Sequence, residues 1–166
     1  AMREVLDCDS VCGGTALCLV ISEAGEAFEE PEGHVEIVRL LIEAHASVNK
    51  PAATEDEASP LLIACEWGRQ QMSQMLIAAR ADANAVSLTG GTFPLCYAAK
   101  FGAESIVREL IGARAYVDQA VGISSMSDRA PSGSTALWIA SARGHLETMR
   151  LLLESHASVN KARDTE

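Results

Sequence analysis

Apolar residues recur along this chain at helical spacing, in short segments that Gly, Pro and small polar residues separate. One such stripe consists of Leu146, Met149, Leu152 and Leu153, and residues 106–111 show a similar one. Spacings of three and four residues place these side chains on one face of an α-helix. The pattern therefore predicts a series of short amphipathic helices that share one buried side.

The helical pattern is itself repeated. The segment GHVEIVRLLIE at 33–43 returns at 144–154 as GHLETMRLLLE, and HASVNK occurs shortly after both. Two weaker copies lie between them. Self-similarity at a period of about 20–50 residues is the signature of a repeat array. We therefore predict one all-α repeat domain over 1–166, with an approximate repeat at each of 10–50, 54–85, 88–118 and 130–161.

A start signal precedes the first helix of most repeats. Three repeats have a hydroxyl residue at the cap position, where its side chain accepts from a backbone N–H and contributes about 1 kcal/mol. These residues are Thr15, Ser59 and Thr135. Repeat three has Phe93 at this position, so its cap comes from Thr92 or is absent.

A glycine follows each predicted first helix. A tight turn from one helix into the next favours a left-handed backbone, which glycine adopts without steric cost. The sequence thus places turns at Gly33, Gly68, Gly102 and Gly144.

The combination of a period near 33 with Thr-Ala-Leu or Ser-Pro-Leu, Gly-His and Ala-Ser-Val-Asn segments resembles the ankyrin repeat, over about residues 10–164. The resemblance implies an all-α helical solenoid with short finger turns between repeats. It also implies a scaffold that binds proteins through its concave face and fingers. In such proteins the residues just before the turn glycine are commonly exposed on that face. The resulting candidate contacts are Glu66, Trp67, Lys100, Phe101 and Arg143.

The chain departs from the ankyrin pattern at two positions. The family usually has a His early in the first helix, and the residues found here are Cys18, Leu62, Cys96 and Trp138. The family also favours Gly just after the second helix, and the residues found here are His45, Arg80, Arg114 and His156. A left-handed backbone costs a residue other than Gly about 1 kcal/mol, so we expect modest stability.

Two insertions interrupt the repeats, at about 23–32 and 119–132. The first carries acidic residues and no basic one: Glu26, Glu29, Glu30 and Glu32 are the candidates for contacts. It is either a solvated acidic loop or a docking loop for a basic partner.

The second insertion is rich in Gly and Ser, yet it contains Val121, Ile123 and Met126. Apolar side chains on a loop usually find something to cover them. These three either fold back on the repeats or contact a partner, and they complete the candidate binding residues.

Composition narrows the partners. The formal net charge of −10 argues against nucleic acid, because a phosphate backbone needs Lys and Arg to neutralise it. The longest apolar runs are too short to cross a bilayer. Five cysteines without a CxxC pair indicate reduced thiols in an intracellular compartment, most simply the cytoplasm. An organelle stays open, because the chain begins and ends inside the repeat pattern.

No catalytic motif accompanies the repeats. Neither a G-x-S-x-G elbow nor a phosphate-binding loop is present, and the four His recur with the repeat instead of converging on one place. We therefore expect no enzyme, no cofactor and no metal.

The leading hypothesis is a scaffold that binds a protein partner. The alternative is a permanently bound accessory subunit of a larger assembly. A third and weaker hypothesis makes the chain the targeting module of an enzyme whose catalytic domain lies elsewhere.

Overall fold

The computed structural model describes residues 15–24, 31–88, 90–122 and 132–161, and these contain eight α-helices in four consecutive pairs. The helices are α1 Ala16–Glu23, α2 Glu32–Glu43, α3 Pro60–Glu66, α4 Gln70–Ala78, α5 Pro94–Phe101, α6 Glu104–Gly112, α7 Ala136–Arg143 and α8 Leu146–Glu154.

The helices form two layers. The first helices of the four pairs, α1, α3, α5 and α7, pack in a row, and the second helices α2, α4, α6 and α8 pack in another. Fully buried Ala64, Ala98 and Ala140 lie where first helices touch, because a small side chain lets two helix axes approach closely. Leu76 and Leu110 fill the space behind them. This is the all-α repeat solenoid that the sequence predicts.

The predicted hydroxyl caps are confirmed. Thr15, Ser59 and Thr135 each accept a hydrogen bond from the backbone N–H three residues later. Repeat three has no side-chain oxygen in this place, since the Thr92 hydroxyl pairs with Ser87. The Cys96 thiol donates to the Phe93 carbonyl at 2.8 Å and accepts from the Phe93 N–H at 3.3 Å, so a sulfur contact marks the start of α5, which has no side-chain cap.

Three of the four predicted glycine turns are confirmed, and one is wrong. Gly68, Gly102 and Gly144 have φ values of +66°, +65° and +75°. Gly33 lies inside α2, which already begins at Glu32 after Pro31. Gly33 is therefore an ordinary helical residue.

The residues after the second helices adopt the strained backbone that the sequence predicts. All four have φ between 62° and 66°, although none is glycine: His45, Arg80, Arg114 and His156. Each leaves the helix through the turn that a glycine normally provides.

Neighbouring repeats are joined by one recurring hydrogen-bond pattern, which we call the inter-repeat rung. After each of the first three left-handed residues, an Asn or Asp accepts from a backbone N–H of the following repeat, and the two Asn also donate to a carbonyl there. The rungs join Asn49 to Arg80 O and Asp82 N, Asn84 to Arg114 O and Tyr116 N, and Asp118 to Ser158 N.

Candidate protein-binding site

Two aromatic side chains mark the same position on neighbouring helices. Trp67 immediately follows α3 and Phe101 ends α5, and their side chains are 45% and 41% exposed. Arg143 takes this position in α7 and is also exposed. Large aromatic residues and Arg are the side chains that most often dominate binding energy at interfaces. The structure therefore places three of the candidate residues in register at the ends of successive first helices. We call this set the aromatic ridge.

Polar contacts tie the ridge together. The Tyr97 hydroxyl donates to the Glu66 carboxylate at 3.0 Å, across the junction of repeats two and three. The Lys100 ammonium lies 5.8 Å from the centre of the Tyr97 ring and 5.4 Å from that of Phe101. Both distances allow a cation–π attraction. One acidic and one basic side chain are thus held beside the exposed rings.

Burial keeps the Tyr97 hydroxyl protonated. Desolvation raises the pKa of this phenol, and the negative charge of Glu66 raises it further. A protonated hydroxyl remains a donor to Glu66 at physiological pH. Sequence reasoning missed this link, because Tyr97 lies 31 residues after Glu66 and the residue that corresponds to Glu66 in the next repeat is Lys100.

A groove lies beside the ridge, between the first helices and the first finger turn. Its volume is about 250 Å³. Its floor comes from α1 and α3 and its wall from residues 52–58, so Trp67 and Glu66 stand at its edge. The charged side chains that line it are both acidic, Asp56 and Glu66.

The finger turns add exposed apolar side chains that sequence reasoning missed. Val86 and Leu88 lie exposed on the second finger, and Tyr116 lies exposed on the third. The Leu88 N–H donates to the Asp56 carbonyl at 2.9 Å, which joins the first two fingers. Val86 and Leu88 follow the Ala-Asp-Ala-Asn segment at 81–84, and Tyr116 lies within the Ala-Tyr-Val-Asp segment at 115–118, which was the available signal.

The acidic insertion is described in part. Glu32 is exposed in the first turn of α2, where a carboxylate is favoured by the helix dipole. Glu26, Glu29 and Glu30 lie outside the described residues. A docking role for this loop stays a prediction.

The second insertion begins with a buried residue. Val121 is only 2% exposed, and its N–H donates to the Ser134 carbonyl at 2.9 Å, beside a backbone bridge between Ala120 and Thr135. Val121 therefore folds back on the repeats and packs in the core, and it is not available as a contact for a partner. Ile123 and Met126 lie outside the described residues.

Two kinds of site are absent from the part of the chain that the structure describes. It holds no group of three or more His, Cys, Asp or Glu side chains arranged to bind a metal ion. None of its helices is long and apolar enough to span a membrane.

Comparison with known proteins identifies the family. A family model described as ankyrin repeats in three copies matches twice, over residues 2–87 and 79–163. An ankyrin repeat and KH domain-containing protein, mask-1 of Caenorhabditis elegans, is 37% identical over 76% of this chain. Human ankyrin repeat domain-containing protein 63 is 31% identical over 86% of it. A probable E3 ubiquitin-protein ligase of rice, XBOS32, is 27% identical over 79%.

The chain spans only part of each relative: 4% of the nematode protein, 34% of the human protein and 30% of the rice protein. The two matches of the family model together reach from residue 2 to residue 163, and they agree with the four stacked helix pairs and the rungs between them. The chain belongs to the ankyrin repeat family.

Proposed function

We propose that this chain is a non-catalytic scaffold that binds a protein partner through the aromatic ridge and the adjoining groove. Ankyrin repeats are generally protein–protein interaction modules. The observation that carries the proposal is the register of Trp67 and Phe101, each exposed at the end of a first helix with Lys100 and Glu66 beside it.

The chemistry of the groove indicates the kind of segment that would fit. Both of its charged lining residues are acidic, and the whole chain carries a net charge of −10. A partner segment with an apolar anchor and a nearby Lys or Arg would place the anchor against Trp67 and the charge near Asp56 or Glu66. Such attraction also accelerates association at low salt. We therefore propose a basic partner. The free, buried thiols of Cys18, Cys65 and Cys96 support the further proposal of an intracellular, reducing compartment.

A site-specific cross-linking experiment tests this proposal. A photoreactive phenylalanine analogue replaces Trp67 in one variant and Leu146 in a control variant, and both are irradiated in native extract. Leu146 is exposed on a second helix, away from the groove. We expect a protein captured from position 67 only; equal capture at both positions would count against the ridge.

The captured partner is then purified and titrated. Truncating a hot-spot residue to Ala costs at least about 2 kcal/mol, which is about a 30-fold loss of affinity. We expect this loss for Trp67→Ala and for Phe101→Ala, and less than about a 3-fold change for Leu146→Ala. Affinity that is unchanged in both ridge variants would refute the proposed surface.

A further inference from the structure

The two acidic residues that line the groove are held in different ways. The Glu66 carboxylate accepts a hydrogen bond of 3.0 Å from the Tyr97 hydroxyl, which belongs to the next repeat. Asp56 is tied to the second finger through its main chain, where its carbonyl accepts from the Leu88 N–H at 2.9 Å. A main-chain bond does not fix the side-chain torsions of Asp56, whereas the bond from Tyr97 acts on the carboxylate of Glu66 itself. Glu66 is therefore the acid whose charge has a defined position before a partner binds.

Tyr97 is a rigid donor for this bond. Its side chain is only 7% exposed and lies in the middle of α5, in the row of first helices. Burial raises the pKa of the phenol, so the hydroxyl stays protonated and remains a donor. Because the hydroxyl is neutral, it orients the Glu66 carboxylate and leaves the negative charge in place. A group that is oriented in advance loses less conformational entropy when a ligand binds it.

Each aromatic ring of the ridge follows a charged residue, and the two charges are opposite. Glu66 lies just before the exposed Trp67, and Lys100 lies just before the exposed Phe101. The Lys100 ammonium lies 5.8 Å from the centre of the Tyr97 ring and 5.4 Å from that of Phe101. A cation is therefore attracted to the position in repeat two and repelled from the corresponding position in repeat three. This repulsion makes the ridge selective for where the cation of a partner lies.

We propose that Glu66 is the residue that recognises the basic side chain of the partner, and that Tyr97 is its positioning residue. This assignment rests on the proposed binding surface and adds the group that contacts the cation. A Lys or Arg side chain of the partner lays its alkyl stem on Trp67 and places its charged end on the Glu66 carboxylate. The Tyr97 hydroxyl keeps its bond to Oε1 throughout. Asp56 adds to the general negative field of the groove, which salt screens.

The probe n-hexylammonium tests this assignment, because it joins the ammonium of a Lys side chain to an apolar chain. Hexanol has the same apolar chain without the charge and controls for the apolar contribution. The sequence has two tryptophans, and Trp67 lines the groove whereas Trp138 lies in repeat four. Their indole N–H signals in a proton–nitrogen correlation spectrum thus report on the site and on a distant position. We expect hexylammonium to shift the Trp67 signal saturably, to leave the Trp138 signal unchanged, and to bind more tightly than hexanol.

Three single substitutions separate recognition by one carboxylate from a general effect of charge. Glu66→Gln should weaken hexylammonium binding about 5-fold, the upper end for an exposed ion pair. Tyr97→Phe removes the hydroxyl and keeps the ring, and it should weaken binding about 3-fold because the carboxylate must then be ordered when the probe binds. Asp56→Asn is the matched control: it removes the same charge from the same groove, and it should change the affinity by less than about 2-fold. Hexanol should bind all three variants like the unsubstituted chain.

A double variant distinguishes positioning from a structural role of Tyr97. If the hydroxyl acts through the Glu66 carboxylate, Tyr97→Phe should have no further effect on hexylammonium binding in the Glu66→Gln background. A structural role would instead weaken hexylammonium binding in both backgrounds and would weaken hexanol binding as well. The same spectra verify that each variant is folded.

Three results would overturn the assignment. They are equal affinity for hexylammonium and hexanol, a Glu66→Gln effect no larger than that of Asp56→Asn, and a Tyr97→Phe effect that persists in the double variant. Any of them can occur while a partner is still captured at position 67 and lost in Trp67→Ala. The binding surface would then stand, and the roles of Glu66 and Tyr97 would fail. Absence of capture at position 67 would instead refute the surface, and the assignment with it.

Discussion

Replacing Arg80 and Arg114 by Gly is expected to stabilise this protein, although it removes two long side chains. Both residues follow a second helix with a left-handed backbone, at φ values of 64° and 66°. In that conformation the Cβ of any L-residue crowds the following carbonyl, and glycine has no Cβ. Both side chains are exposed, so their removal leaves no cavity.

The size of the effect follows from two opposing contributions. Relief of the left-handed strain is worth about 1 kcal/mol at each site. Loss of a cation at a helix C-terminus costs about 0.3–1 kcal/mol at each site, so the net gain is about 0.5 kcal/mol. The two sites lie in different repeats, and distant substitutions add. The double variant should therefore gain about 1 kcal/mol, or about 2–4 °C in Tm for a chain of this size.

Urea denaturation followed by circular dichroism measures this gain, with Arg108→Gly as the matched control. Arg108 is equally exposed but lies inside α6, where Arg→Gly should cost about 1 kcal/mol because glycine weakens a regular helix. The same chemical change thus has opposite signs at the two kinds of position. If Arg114→Gly destabilised the protein as Arg108→Gly does, the strain argument would be refuted.

Two further predictions concern stability. Gly102→Ala should destabilise the protein more than Gly144→Ala, because a Cβ at Gly102 would lie 2.5 Å from His145 Nδ1, whereas a Cβ at Gly144 would meet no atom within 4 Å. Urea midpoints of the two variants check this, and the difference between them should shrink in a His145→Ala background. Stability should also fall as pH rises above about 9, because burial raises the pKa of Cys65 and Cys96 to about 12 and the unfolded thiols ionise first. Equal urea midpoints at about pH 8 and about pH 10 would contradict this, and Cys→Ala at both positions should reduce the fall.

The fold was predictable because its signals are local and repeated. A hydroxyl at Thr15 or Thr135 caps a helix wherever it occurs, and the same three-residue spacing returns in successive repeats. The left-handed residues were also predictable, since His45 and Arg80 occupy the position where a chain that leaves a helix must turn.

The exceptions arise where the period is broken. Gly33 looked like a turn residue, but the insertion before it places Pro31 where a helix can begin, and α2 therefore starts earlier than in the other repeats. Val121 looked like a loop residue available to a partner. It is buried, and its N–H pairs with the Ser134 carbonyl, which lies 13 residues away and which no local pattern predicts.

The binding site was predictable only as a set of positions. Register placed Trp67 and Phe101 at the ends of first helices, but their exposure depends on the neighbours that surround them. The Tyr97–Glu66 bond joins two repeats, and the angle between those repeats decides whether the two side chains meet. Trp138 shows the same limit: its counterparts are buried because a repeat follows them.

The inter-repeat rungs limit which positions of the array must keep a particular side chain. Each rung binds main-chain atoms, and every amino acid except proline supplies the N–H, so the rung does not depend on the side chain of the residue that donates it. The N–H groups that donate in the three rungs belong to Asp82, Tyr116 and Ser158. A substitution at the exposed Tyr116 should therefore leave the joint between modules intact, so this surface position is available for contacts with other molecules.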